Sequence, residues 1–300
     1  MVPSRPPHTL GRPPRRPAGG APRRPGGALP VTLTKHHGLG NDFLVLATAR
    51  PPGPAHAAAA VRWCDRRRGL GADGLLVLGP AAGDTALSMT LFNADGSRAE
   101  MSGNGIRCLV HAWVLSHGMP TSPLVVRTDA GLRTVTVAPT ASGDTILASV
   151  TMGEVTALAE PAGWAALGCD PGRPVLHLSL GNPHSVVLTD DVASVDLAHL
   201  GALVPQVNLE IVEPGPEPGA VRMRVHERGV GITEACGTGA SAAAFAAARW
   251  GLVPAGASEV LVHMDGGDAT VRLDAPVNGE VTLVGPSTVV ATVILEEPAP

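Results

Sequence analysis

The sequence predicts an α+β fold of two pseudo-symmetric domains, each a curled, mostly antiparallel sheet around one central helix. Three observations lead there. Short β-like runs, closed by Gly, Pro or Asn-Ala-Asp-Gly, fill the chain from Val31 onward. Two stretches, Gly105 to His117 and Ala240 to Trp250, read instead as helices apolar on nearly every face, hence buried all round. Both are opened by one pattern, E-x-[S/C]-G-x-G, at Glu100 to Gly105 and again 134 residues later at Glu234 to Gly239. A repeat at half the body length points to duplication, with both glycine-rich turns facing one cleft.

The elements follow in order. VTLTKHH (31–37), DFLVLAT (42–48), DGLLVLG (73–79) and ALSMTLFN (86–93) are aliphatic and β-branched runs of strand length. The first buried helix, GIRCLVHAWVLSH, comes next. Strands resume at 124–128, 133–139, 145–152, 174–180 and 184–190, and the second helix, ASAAAFAAARW, stops before Gly251. Four more strand-like runs end the chain, at 258–264, 269–275, 279–285 and 287–297. The expected organisation is a disordered Arg/Pro-rich tail over 1–30, an N-terminal domain over 31–146 and a C-terminal domain over 147–285. The last strand, 286–297, returns to the first domain.

Composition sets outer limits. The chain has 300 residues, 44% of them apolar and 16% charged, enough for real cores, yet only 2% are aromatic. Few aromatics argue against a base-stacking nucleic-acid platform, and no apolar run is long enough to cross a membrane. The net charge of −4 conceals a more acidic body, because residues 1–30 carry six Arg, nine Pro and no acid. That segment has no apolar stretch to act as a secretory signal. Cys64, Cys108, Cys169 and Cys236 are far apart with no CxxC or Cys/His metal spacing, which fits a reduced, cytoplasmic setting and no metal.

The glycine turns are where chemistry is expected. A helix opening at G-x-G offers unpaired N–H groups and the positive end of its dipole to a carboxylate. The same field favours a thiolate at Cys236, whereas Cys108, inside the first helix, reads as packing. Gly69 to Gly74 spells G-x-G-x-x-G but follows three arginines and precedes a strand, the wrong context for a nicotinamide or flavin. Ser102 is preceded by Glu100 at the position where a nucleophile elbow needs Gly. Asn41, Asn93, Asn104, Asn182 and Asn208 sit beside glycines or strand ends, each by itself an ordinary turn residue. With Glu227 and Arg228 they supply the donors, acceptors and charges that a zwitterionic amino acid needs.

The segments KHHGLGNDF, GLGADGLL, FNADGSRAEMSGNGIRC, GNPHSVV and HERGVGITEACGTGASAAA, in this order from Lys35 to the final strand, resemble the diaminopimelate epimerase family. The resemblance implies an isomerase that interconverts LL- and meso-2,6-diaminopimelate in lysine and peptidoglycan precursor synthesis. It also implies a homodimer without metal, pyridoxal or nicotinamide. Carried over by position, Asn41, Asn93, Asn182, Asn208, Glu227 and Arg228 contact the substrate. Gly103-Asn104 and Gly237-Thr238 hold a carboxylate on the helix N-termini, and Cys236 is one of two catalytic thiols. Where the family has the other thiol, this chain has Ser102. The resemblance puts His184 beside that first position and Glu227 beside the second, so a Ser102–His184 pair is the expected repair. A related racemase, a one-base enzyme on the same fold and a non-catalytic amino-acid-binding protein remain open alternatives. Proline racemase relatives typically carry His where this chain has Asn104.

Overall fold

A computed structural model describes residues 30–80, 83, 85–273 and 279–296. The expected disordered tail, but for Pro30, lies outside them. The first barrel is built from β1 (Val31–Gly38), β2 (Asn41–Ala47), β3 (Gly74–Gly79), β4 (Leu87–Asn93), β5 (Arg98–Ala99), β6 (Leu124–Thr128), β7 (Gly131–Pro139) and β8 (Thr145–Glu154). Helix α1 (Pro54–Cys64) joins β2 to β3, and α2 (Gly103–His117) follows β5. The second barrel continues through β9 (Thr156–Ala157), β10 (Val175–Ser179), β11 (Pro183–Leu188), β12 (Asn208–Pro214), β13 (Ala220–Glu227), β14 (Gly231–Thr233), β15 (Glu259–Met264) and β16 (Gly267–Leu273). Here α3 (Leu197–Leu203) joins β11 to β12 and α4 (Gly237–Trp250) follows β14, before the long β17 (Glu280–Leu295).

Pairing closes both sheets. The first ring runs β17, β1, β2, β3, β4, β6, β7, β8 and back to β17, with β2∥β3 and β4∥β6 its parallel pairs. The second runs β17, β16, β15, β13, β12, β11, β10 and β9, with β11∥β12 and β13∥β15 parallel, and β9 continues the chain from β8. The two rings therefore share one plan, an α+β fold in which α2 and α4 fill the centres. Ten consecutive residues of α2, Gly103 to Ala112, are buried, and the apolar face of α4 is almost wholly alanine. With so few aromatics, small helix side chains let the sheet close tightly around each axis.

The structure departs from the sequence reading in three respects. A parallel pair needs a crossover, and α1 and α3 supply it in the two rings; the sequence reading has only the central helices. Residues 279–285 and 287–297, read as two strands, form one strand to Leu295. Pro286 sits inside it, where its carbonyl accepts from Arg107 Nε at 3.1 Å. The expected boundary at 146/147 falls within β8, which pairs with both β7 and β17.

Candidate active site

Both central helices begin in the same way. Ser102 precedes α2 in extended conformation (φ −143°, ψ 121°), and its Oγ accepts from the Gly105 N–H at 3.0 Å. Cys236 precedes α4 at φ −131°, ψ 114°, and its Sγ accepts from the Gly239 N–H at 3.4 Å. The helix tips touch. A Cβ on Gly103 would lie 3.0 Å from the Gly237 Cα, one on Gly237 would lie 2.9 Å from the Gly103 Cα, and either would collide with Leu283. Only glycine permits this approach. It aims two positive helix ends and their unpaired N–H groups into one cavity of about 680 Å³.

Every residue expected at the site lines that cavity except His184. Asn41 stands just after the two-residue turn Leu39-Gly40, where both φ angles are positive (56° and 84°), and Asp73 Oδ2 holds its amide at 2.7 Å. Asn104 crosses the cleft, donating to Asn41 Oδ1 at 3.2 Å and to the Ala235 carbonyl at 3.1 Å, immediately before Cys236. Arg107 donates to the Asn104 Oδ1 at 2.7 Å and to the Gly103 carbonyl at 3.1 Å. Burial lowers this guanidinium to about 10. The Arg228 backbone N–H donates to Asn208 Oδ1 at 2.8 Å, while its side chain reaches Glu100 across the cleft at 3.4 Å. Asn93 donates to Ser97 Oγ at 3.0 Å, and Asn182 donates to Thr238 Oγ1 at 3.2 Å.

Proton chemistry gathers on one side. The Cys236 thiol donates to Glu227 Oε2 at 3.2 Å, and Glu227 Oε1 accepts from Thr233 at 2.5 Å. Burial raises the Glu227 carboxyl. Burial also pushes the Cys236 thiol well up, and the charges of Glu227 and Glu210 add to that. The expected thiolate-favouring field of α4 is present, but in this state desolvation and two carboxyl groups outweigh it.

Ser102 has no such company. Counted back from the helix caps, the position of Glu227 is filled by Asn93, 134 residues earlier. Strand register puts Phe43 where the second ring has His184, opposite Gly74 and Asn208 respectively. Under Gly105 lies Leu76, where Glu210 lies under Gly239. The expected Ser102–His184 pair is not made. Ser102 caps Gly105, whereas His184 is fully buried in the other half with Nδ1 2.6 Å from Glu210 Oε1 and Nε2 3.0 Å from Asn182 Oδ1. Topology explains the correction, since β11 belongs to the ring that surrounds α4.

Sequence reasoning missed Asp73, Arg107 and Glu210. Glu210 shares a strand face with Asn208, a relation that appears only once β12 is recognised as a strand. Among the described residues, no group of three or more His, Cys, Asp or Glu could hold a metal ion.

The same architecture occurs in solved structures at low identity. A phenazine biosynthesis protein of the PhzF family from Bacillus anthracis matches with TM-score 0.70 and 12% identity, covering 89% of this chain and 99% of that one. A hydroxyproline epimerase from Agrobacterium vitis matches at 0.62 and 18%, covering 89% and 91%. The family model for diaminopimelate epimerase matches residues 33–158 and 177–290. Proteins named diaminopimelate epimerase from Cyanothece sp. and Bacteroides thetaiotaomicron are 36% and 34% identical, over 280 and 268 residues. Each alignment covers 86% of this chain, and 97% and 95% of the respective relative. Paired capped helices within twin closed sheets, together with these matches, make the protein an isomerase of the racemase and epimerase class. More narrowly, the chain belongs to the diaminopimelate epimerase family.

Proposed function

We propose that the protein interconverts LL- and meso-2,6-diaminopimelate by removing and returning the α-proton, without a cofactor, with Cys236 and Glu227 as its main acid–base pair. The observation that carries this is the hydrogen-bonded Sγ–Oε2 contact at 3.2 Å, placed at the tip of α4 and facing the tip of α2. A substrate carboxylate on the N–H groups of Gly103, Asn104, Gly237 and Thr238 would set the α-carbon between Cys236 and Ser102. Thiolate forms when Cys236 passes its proton to Glu227, and it then takes the α-proton from its own face. The helix ends and the buried floor stabilise the carbanion. Ser102 supplies or receives a proton on the opposite face as a hydroxyl, a far weaker acid than a thiol.

This reading makes the protein a small-molecule enzyme of the cytoplasm, acting as a homodimer without metal, nucleic acid or membrane partner. No helix among the described residues is long and apolar enough to cross a membrane. The presence of a thiol at only one of the two helix caps supports a second reading, one-base exchange at the α-carbon with slow inversion. The test is to incubate the purified protein with LL-diaminopimelate in heavy water, following α-hydrogen loss by NMR and the meso isomer by chiral chromatography. Meso product with deuterium at the α-carbon is expected. Exchange without meso product would favour the one-base reading, and no exchange at all would overturn both.

A further inference from the structure

Glu210 lies beneath the cavity, under Gly239 and against His184, and no sequence motif singles it out. It is fully buried on β12, and Gly239 makes room for it, because a Cβ there would lie 2.8 Å from Glu210 Oε1 and 3.3 Å from Cys236 Sγ. Its Oε2 has no hydrogen-bond partner among the described residues. A buried carboxyl oxygen left without a partner is costly, so its retention calls for a reason.

The groups facing Glu210 are His184 from β11, Glu227 from β13 and Cys236 at the cap of α4. Asn182 turns its Nδ2 to Thr238, so its Oδ1 accepts from His184 Nε2–H. One proton then lies between His184 Nδ1 and Glu210 Oε1, 2.6 Å apart. A carboxylate beneath the thiol opposes a second negative charge on sulfur, as does Glu227 beside it. The Arg228 guanidinium is turned to Glu100.

We propose that Glu210 is a positioning residue of the catalytic thiol: paired with His184 beneath Gly239, it keeps Cys236 protonated until the ammonium group of an amino-acid substrate enters the cavity. The incoming cation then offsets the charge that develops as Cys236 passes its proton to Glu227, leaving sulfur as thiolate and Glu227 as carboxylic acid. Ionisation is thereby coupled to occupancy. The opposite half, with Leu76 in the equivalent place, has no such control over Ser102.

The inference rests on Cys236 being the proton-transferring thiol, but its test needs no turnover. Alkylation of Cys236 by iodoacetamide is followed against pH by peptide mass spectrometry in the parent, Glu210→Gln and Glu210→Leu, with buried Cys108 as internal reference. Gln is nearly isosteric, and Leu is the side chain the other ring already packs in this place. The alkylation midpoint should fall by about one pH unit or more in both variants, equivalent to about tenfold faster reaction at neutral pH. In turnover the pH profile of kcat should move the same way, with KM changed less than about threefold. An unchanged midpoint in either folded variant overturns the proposal even if the enzyme is an epimerase. A lowered midpoint upholds it even if diaminopimelate is not the substrate.

Discussion

Ser102 and Cys236 do the same structural work, each capping its helix through the N–H three residues on. They differ in chemistry. Replacing Ser102 with Cys costs no cap and places a second thiol on the bare face, so LL-to-meso conversion by Ser102→Cys should rise about 100-fold in a chiral assay, the lower end of general acid–base effects. Cys236→Ala should lose about a thousandfold or more of conversion in the same assay while substrate still binds. If Ser102→Cys is no faster while Cys236→Ala is dead, Ser102 is not the missing limb. The asparagines, Glu227 and Cys236 were legible because each stands beside a glycine turn or strand end whose geometry needs no long-range partner. Glu210, Asp73 and Arg107 were not, because their meaning lies in contacts such as Asp73 to Asn41 and Arg107 to Asn104 that only the closed rings create.

At the scale of elements, the site depends on two helix tips held in contact. Gly103→Ala would press a methyl against Gly237 and Leu283 at 3.0 Å and below, so the tips must part. Overpacking of this kind costs about 1–3 kcal/mol, and Gly103→Ala should lower Tm by several degrees while abolishing most turnover. A variant with native Tm and full activity would show that the tips have slack. The strands around α2 and the two central helices were readable from aliphatic runs and glycine punctuation. The strands β12 and β13 were not, because Glu210, Glu213, Arg222 and Arg224 interrupt their apolar pattern. Helix α1 was hidden in an alanine-rich stretch behind Pro51 and Pro52, and α3 is only seven residues long.

At the scale of the whole molecule, β8 and β17 belong to both rings, so the two halves close around one floor rather than hinging on a linker. The core of the first ring carries one liability. His36, on β1, is fully buried beside His111 at 4.9 Å, and neither ring nitrogen has a hydrogen-bond partner among the described residues. Burial, then the charges of His111 and His37, lower its pKa from 6.5 to about 3. Between those values the unfolded chain binds the extra proton, so stability is full above about pH 6.5 and falls as pH drops towards 3. At pH 4.5 the loss from His36 is about 2–3 kcal/mol, and urea unfolding of His36→Leu should be correspondingly less acid-sensitive. Equal acid sensitivity of parent and variant would remove His36 as the cause. Duplication was visible in the repeated E-x-[S/C]-G-x-G, yet the chemical asymmetry between the rings was not. Phe43 and Leu76 are unremarkable residues until register aligns them with His184 and Glu210, and Asn93, read as a substrate contact, stands where the second ring has Glu227. That asymmetry is tested most directly by measuring initial rates of α-hydrogen exchange in heavy water separately from LL- and meso-diaminopimelate. Exchange should be markedly faster from the isomer whose α-hydrogen faces Cys236. Equal exchange from both isomers would contradict the account.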